Sequence, residues 1–265
     1  LCDNYALSDH PLAEIQASMT EWIKGSIVRK THWTDNLFSL QVAADTETFE
    51  AGQYTWLGLD IDGRRIADPY SIASAPGEPL LEFFFYTRLE GELSTALARL
   101  EHGKSLWIAR RAEGNFTLSR VPDAGTLWLM ATGTGVAPFL SMLRTDEPWQ
   151  RFDNIVLIYA ARQAADLRYR EVTDLLREQY STRFNFLPFI SREKVPDTFH
   201  GHITTAIADG TLIRSTGLEL NPTDSQIMLC GNPGMVREAV ALLQERGFSD
   251  NDGATGGNLS YERYW

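Results

Sequence analysis

Between about Trp22 and Leu118 the apolar positions come in short runs rich in β-branched and aromatic residues, punctuated by Gly52, Gly63, Gly77, Gly91 and Gly103. This pattern predicts strands at 23–29, 37–42, 54–61, 68–73, 80–86 and 105–109. Short strands at this spacing predict a small antiparallel barrel. One helix interrupts them at 93–100, with Leu93, Leu97 and Leu100 on one face. From about Val121 the period changes. Apolar strands at 127–131, 155–159, 184–190 and 227–229 alternate with helices at 137–144, 166–180 and 234–246. Such alternation predicts a parallel sheet covered on both faces. The expected fold class is β plus α/β: a six-stranded antiparallel Greek-key barrel with one helix, then a parallel-sheet α/β domain. The expected domains are 19–121 and 122–265, with Val121-Pro122-Asp123-Ala124-Gly125 as the linker.

Residues 1–18 fall outside this pattern. Met19-Thr20-Glu21-Trp22 resembles a native start, so the preceding stretch reads as an extension, disordered or added. It carries Asp3, Asp9 and Glu14 and no Lys or Arg, so the chain's net charge of −11 becomes −8 without it. That acidity argues against a nucleic-acid binder. No apolar run approaches the roughly 20 residues that cross a bilayer, and no basic-then-apolar leader is present. The expectation is a cytoplasmic monomer. Two cysteines, Cys2 and Cys230, give no disulfide framework and rule out a four-cysteine iron–sulfur cluster built by this chain alone. The five histidines show no zinc-type spacing, so no metal is expected.

Three phrases carry candidate chemistry. Thr132-Gly133-Thr134-Gly135 follows a strand and opens a helix, where backbone N–H groups and the helix N-terminus favour a pyrophosphate. Pro138 stands where a dinucleotide fingerprint has its third glycine, so alone the phrase equally describes a tight strand-to-helix turn. Arg162 and Arg192 each follow a strand end, the side of an open parallel sheet where ligands gather. They suit a 2′-phosphate held by bidentate bonds, or are surface arginines. Tyr70 and Ser71 sit on a barrel strand and point to opposite faces. One suits packing against a flavin ring and the other a hydrogen bond to it, although alone they are an ordinary strand pair. Gly91-Glu92-Leu93-Ser94 opens the barrel's helix and either receives a pyrophosphate or is a plain N-terminus.

In combination the chain resembles the bacterial ferredoxin/flavodoxin–NADP+ reductases over nearly all of residues 21–265. The resemblance rests on Trp33-Thr34-Asp35-Asn36-Leu37-Phe38-Ser39-Leu40, Ala51-Gly52-Gln53, Tyr70-Ser71, Gly91-Glu92-Leu93-Ser94, Ala131-Thr132-Gly133-Thr134-Gly135, Tyr159-Ala160-Ala161-Arg162, Cys230-Gly231-Asn232-Pro233 and the terminal Tyr264-Trp265. It implies bound FAD at the seam of two domains, with Tyr70 and Ser71 at the isoalloxazine and Pro69 among the FAD-binding residues. Glu92, Leu93 and Ser94 would meet the pyrophosphate through their amides, and Thr134 would reach the flavin. Tyr264 and Trp265 would cover the cofactor, Tyr264 moving aside when nicotinamide arrives. NADP(H) would meet Ala161, Arg162, Ser191, Arg192 and Asn232, with Cys230 either a small polarizable wall near the nicotinamide or simply a buried strand cysteine. Ser71 and Tyr264 are the implied catalytic residues, and the implied activity is electron transfer between NADPH and ferredoxin or flavodoxin.

Two positions depart from the family pattern. Asp68 stands where the family places a pyrophosphate-clamping Arg, leaving Arg64 or Arg65 to substitute. His202 stands where a phosphate-binding Arg is common, which would soften the preference for NADPH over NADH. An acidic carrier would need a local basic patch, for which Arg64, Arg65, Arg110 and Arg111 are nominated against a reading as solvated surface charge. The rivals are a flavin or ferric reductase on the same fold, an oxygenase reductase subunit, which the cysteine count disfavours, and a non-catalytic nucleotide-binding relative without flavin.

Overall fold

A computed structural model describes residues 20–87, 91–251, 253 and 256–263. The chain divides into two compact units. The first runs to Thr117 and adds Ala137–Thr145; the second takes Leu118–Val136 and continues from Asp146.

The first unit is a six-stranded antiparallel sheet of β1 (Trp22–Thr34), β2 (Leu37–Ala43), β3 (Tyr54–Ile61), β4 (Arg64–Ser71), β5 (Leu81–Tyr86) and β6 (Ser105–Ala109). The order β4-β3-β6-β1-β2-β5 is a Greek-key arrangement. Its two edges meet just beyond β4. Ile72 bridges Phe83, and the Ala73 amide donates to the Glu82 carbonyl at 2.8 Å. Ile27, Leu40, Leu57, Phe83 and Ile108 fill the interior completely out of solvent, and helix α1 (Glu92–Arg99) adds Leu93 and Leu97.

Two strands of this unit differ from expectation by more than one residue. β4 spans 64–71 rather than 68–73 because Asp62-Gly63, at φ 48° and 77°, forms a two-residue hairpin that pairs Ile61 with Arg64 at once. β1 runs on to Thr34 because register shifts at Ile27/Arg29 and His32/Thr34 absorb its polar stretch.

The second unit is a parallel sheet of β7 (Thr126–Thr132), β8 (Asn154–Ala161), β9 (Phe184–Ile190), β10 (Phe199–His200), β11 (Ser225–Gly231) and β12 (Leu259–Arg263). The order is β10-β9-β8-β7-β11-β12, so the winding direction reverses between β7 and β11. The helices are α2 (Ala137–Leu143), which groups with the first unit, then α3 (Glu147–Arg151), α4 (Arg170–Gln179), α5 (Ile203–Ala208), α6 (Thr211–Thr216) and α7 (Pro233–Gln244). α4 starts at Arg170 instead of 166, because Tyr169 at φ 64° is left-handed and separates it from a short 3-10 turn at Ala164–Asp166. No element was expected at α3, β10, α5, α6 or β12. Among the described residues no helix is long and apolar enough to cross a membrane.

Candidate functional site

The reversal between β7 and β11 places two glycine turns side by side. In open parallel sheets ligands bind at the carboxyl ends of strands at such a point. After β7 comes the turn Gly133–Val136, and after β11 comes Asn232. A Cβ on Gly135 would stand 2.6 Å from the Cys230 carbonyl oxygen and 2.7 Å from the Gly231 Cα. A Cβ on Gly231, at φ 132°, would stand 2.2 Å from Thr132 Oγ1. That hydroxyl oxygen instead accepts from the Asn232 amide at 2.8 Å. The Asn232 side-chain oxygen in turn accepts from the amides of Gly234 and Met235, capping α7, with Pro233 at its first position. Both turns are therefore locked together by backbone approach, which only glycine allows. Thr134 is buried within this turn.

Strand pairing continues past β8 and β9. The Ser191 amide donates to the Ala161 carbonyl at 3.1 Å, and the Arg192 amide donates to the Arg162 carbonyl at 3.0 Å. The Gly201 amide donates to the Ile190 carbonyl, bringing the exposed His202 to the same end of the sheet. Ala161, Arg162, Ser191 and Arg192 thus lie together, with both guanidinium groups on exposed residues. Near them, burial lifts the Asp166 carboxyl above its usual range, against the opposing pull of a Gln163 backbone bond and of Arg168, Arg162 and Arg192.

In the barrel unit, Tyr70 and Ser71 end β4 on opposite faces. Tyr70 shares its face with Thr55 and meets Phe85 edge-on at 5.7 Å, while Ser71 is 7% exposed. Pro69 precedes them and is exposed. Glu92, Leu93 and Ser94 form the first turn of α1, and Gly91 supplies no side-chain cap to it. This leaves the end of α1 with the donor character that suits a phosphate. Tyr264 and Trp265 lie outside the described residues.

Residues 129–241 match the family model described as an oxidoreductase NAD-binding domain. The chain is 41% identical to a flavodoxin/ferredoxin–NADP reductase of Shigella flexneri, covering 93% of this chain and all of that one. It is 40% identical to the Escherichia coli protein of the same name, with the same coverage. The chain belongs to the flavodoxin/ferredoxin–NADP reductase family. A crystal structure of a Neisseria gonorrhoeae ferredoxin NADP+ reductase with bound FAD and NADP matches with a TM-score of 0.87 at 27% identity, over 92% of this chain and 99% of that one.

Of the two arginines expected to substitute for a cation at Asp68, Arg65 is engaged elsewhere. Its guanidinium binds both oxygens of Asp60, at 2.9 and 3.1 Å, and lies 4.0 Å over the Trp107 ring on the opposite face of the sheet. Hydrogen bonds from Arg65 and then from Trp107 Nε1 hold the Asp60 carboxyl below its usual range. Arg64 shares a face with Asp68 but lies four residues back, about 13 Å along the strand. The nominated basic rim is half neutralised. Arg65 is paired with Asp60, and Arg110 with Glu21 at 2.6 Å and Asp45 at 3.6 Å, leaving Arg64 and Arg111 exposed.

One residue of interest escaped the sequence pattern. Glu262 pairs in register with the fully buried Cys230. The residue keeps intermediate exposure, yet burial of its carboxyl pushes the pKa from 4.5 up to about 7. Its only signal in the sequence is its place two residues before Tyr264.

Proposed function

We propose that this chain is an FAD-dependent reductase that moves electrons between NADPH and ferredoxin or flavodoxin. The observation that carries this reading is the pair of interlocked glycine turns at the sheet's switch point, next to the adjoining Arg162 and Arg192, in a chain of this reductase family. The residues fit both cofactors. The first turn of α1 suits the FAD pyrophosphate, Tyr70 offers an aromatic wall and Ser71 a hydroxyl. Ala161, Arg162, Ser191, Arg192 and Asn232 suit NADP(H). Asp68 is the position that works against the fit, placing a carboxylate on the face of β4 that carries Tyr70. When bound, FAD supplies the conversion between paired and single electron transfer. The protein's part is orientation. Tyr70 would wall the flavin ring, Ser71 would offer its hydroxyl as a hydrogen-bond partner to it, and Arg162 and Arg192 would hold the 2′-phosphate. Action as a cytoplasmic monomer belongs to the same proposal.

The test is an anaerobic visible spectrum. The purified protein is expected to show flavin absorption that NADPH bleaches. A protein that stays colourless after incubation with FAD, and unresponsive to NADPH, would overturn the reading. Ser71→Ala is expected to slow hydride transfer by roughly tenfold to a hundredfold while flavin content stays intact. An unchanged single-turnover rate removes Ser71 from the mechanism.

The half-neutralised rim also favours a second reading, a reductase of free flavin or ferric chelates, because small acceptors need no basic docking face. Steady-state rates with flavodoxin, ferredoxin and ferric chelates separate the two.

A further inference from the structure

A second set of interactions in the barrel unit bears on the flavin strand and belongs to none of the motifs above. Just past Ser71 the chain forms a short polar segment, Ala73-Ser74, which is buried: Ser74 is 1% exposed. Helix α2 holds it from one side. Ser141, fully buried, donates its hydroxyl to the Ser74 carbonyl at 2.7 Å. Arg144 Nη1 donates to the Ala73 carbonyl at 3.2 Å and to Glu82 Oε2 at 3.2 Å, with Glu78 at 3.7 Å. Strand β5 holds the segment from the other side. The Glu82 amide donates to Ser74 Oγ at 3.0 Å, and the Ala73 amide donates to the Glu82 carbonyl at 2.8 Å. Apolar contacts seat the same helix. Phe139 packs on Phe116 at 5.7 Å, and Met142 lies so close to Gly52 that a Cβ there would stand 2.5 Å from its terminal methyl.

These bonds do something the hydrophobic core does not. Burial fixes how deep a strand sits, whereas charge-assisted bonds to a named carbonyl fix its position along and across the sheet. The carbonyl Arg144 holds is two residues from Ser71, on the stretch where the sheet's edges meet. The same helix begins immediately after Val136, the last residue of the glycine turn.

Resting on the flavin reading above, we propose that Arg144, assisted by Ser141 and Glu82, is a positioning residue that sets where the Tyr70 ring and the Ser71 hydroxyl stand against the flavin. Arg144 acts through the backbone of Ala73-Ser74 and touches no reacting atom.

The test compares Arg144→Met and Arg144→Lys holoproteins with the parent. Both bonds leave from one nitrogen, so R144K can reproduce them with its ammonium and R144M cannot. R144M is expected to retain flavin and to keep KM for NADPH within about twofold. Its single-turnover hydride transfer is expected to fall about tenfold, since sub-ångström misplacement of reacting groups is enough for such a loss. The visible circular dichroism of its bound flavin is expected to change, and R144K to restore both the rate and the spectrum. A stability loss in R144M with parental rate and parental flavin dichroism would overturn the proposal and leave Arg144 a structural residue. If R144M yields no soluble holoprotein, Ser141→Ala, which deletes the single bond to Ser74, is read the same way. A severalfold slower rate with altered dichroism supports the proposal, and parental values for both overturn it. A parent protein that binds no flavin would fail the reading itself, before any variant is compared.

Discussion

Gly135→Ala is expected to destabilise the protein by about 3 kcal/mol and to raise KM for NADPH at least tenfold. The added methyl would stand 2.6 Å from the Cys230 carbonyl oxygen, 2.7 Å from its carbonyl carbon and 2.7 Å from the Gly231 Cα. All three are backbone atoms at the carboxyl end of β11, a strand paired with β7 on one side and β12 on the other, so no side-chain rotation relieves the clash. Relief requires the two turns to part, which breaks the Asn232 amide bond to Thr132 and disturbs the cap of α7. Thermal unfolding should show the loss as a fall of roughly 5–10 °C in Tm. Gly63→Ala is the control. At φ 77° an alanine there is strained by its backbone alone, with nothing within 4 Å, so its cost is expected to stay at about 1 kcal/mol, with NADPH kinetics intact. Parental stability and KM in G135A would show that the turns do not need to interlock.

Glu262→Gln is expected to stabilise the protein at alkaline pH and to change little below pH 4.5. Burial raises this carboxyl from 4.5 to about 7 in the folded chain. Between those values the folded state binds the proton and the unfolded state does not, so stability falls as pH rises through that window. The loss is complete above pH 7 and amounts to at most about 3 kcal/mol, less to the extent that water reaches the residue's exposed edge. Glutamine keeps the shape and carries no titrating proton. The difference in unfolding free energy between variant and parent should therefore grow from pH 4.5 to 7 and then level off. A difference that is flat across pH would mean that Glu262 titrates as it does in water.

The architecture was legible wherever the chain states its own constraint. The apolar runs around Leu129 and Leu157 announce buried parallel strands, whereas the Asp62-Gly63 hairpin was not anticipated and moved the start of β4 to Arg64. The first glycine turn, Gly133–Val136, was legible from its glycines, whereas Gly231 entered only through the family resemblance. Arg162 and Arg192 could be placed because strand ends are readable and a parallel sheet aligns them. Other features depend on partners distant in the chain. Arg65 looked available until Trp107 and Asp60 were seen to occupy it. Arg110 is satisfied by Glu21, 89 residues earlier. The raised carboxyl of Glu262 comes from surroundings that no local pattern encodes, and Arg144 reaches Glu82 across 62 residues. Tyr169 is the reverse case, a local event with no local signature, since nothing about a tyrosine announces a left-handed backbone.

The barrel unit borrows nine residues, Ala137–Thr145, from between two stretches of the second unit. Neither unit is thus a continuous stretch of polypeptide. Severing the chain once at the Val121-Pro122 junction would yield a leading fragment stripped of Phe139, Ser141 and Arg144, with Gly52 and Phe116 uncovered. Modular exchange of this barrel between proteins must carry that helix along, or graft a replacement for it.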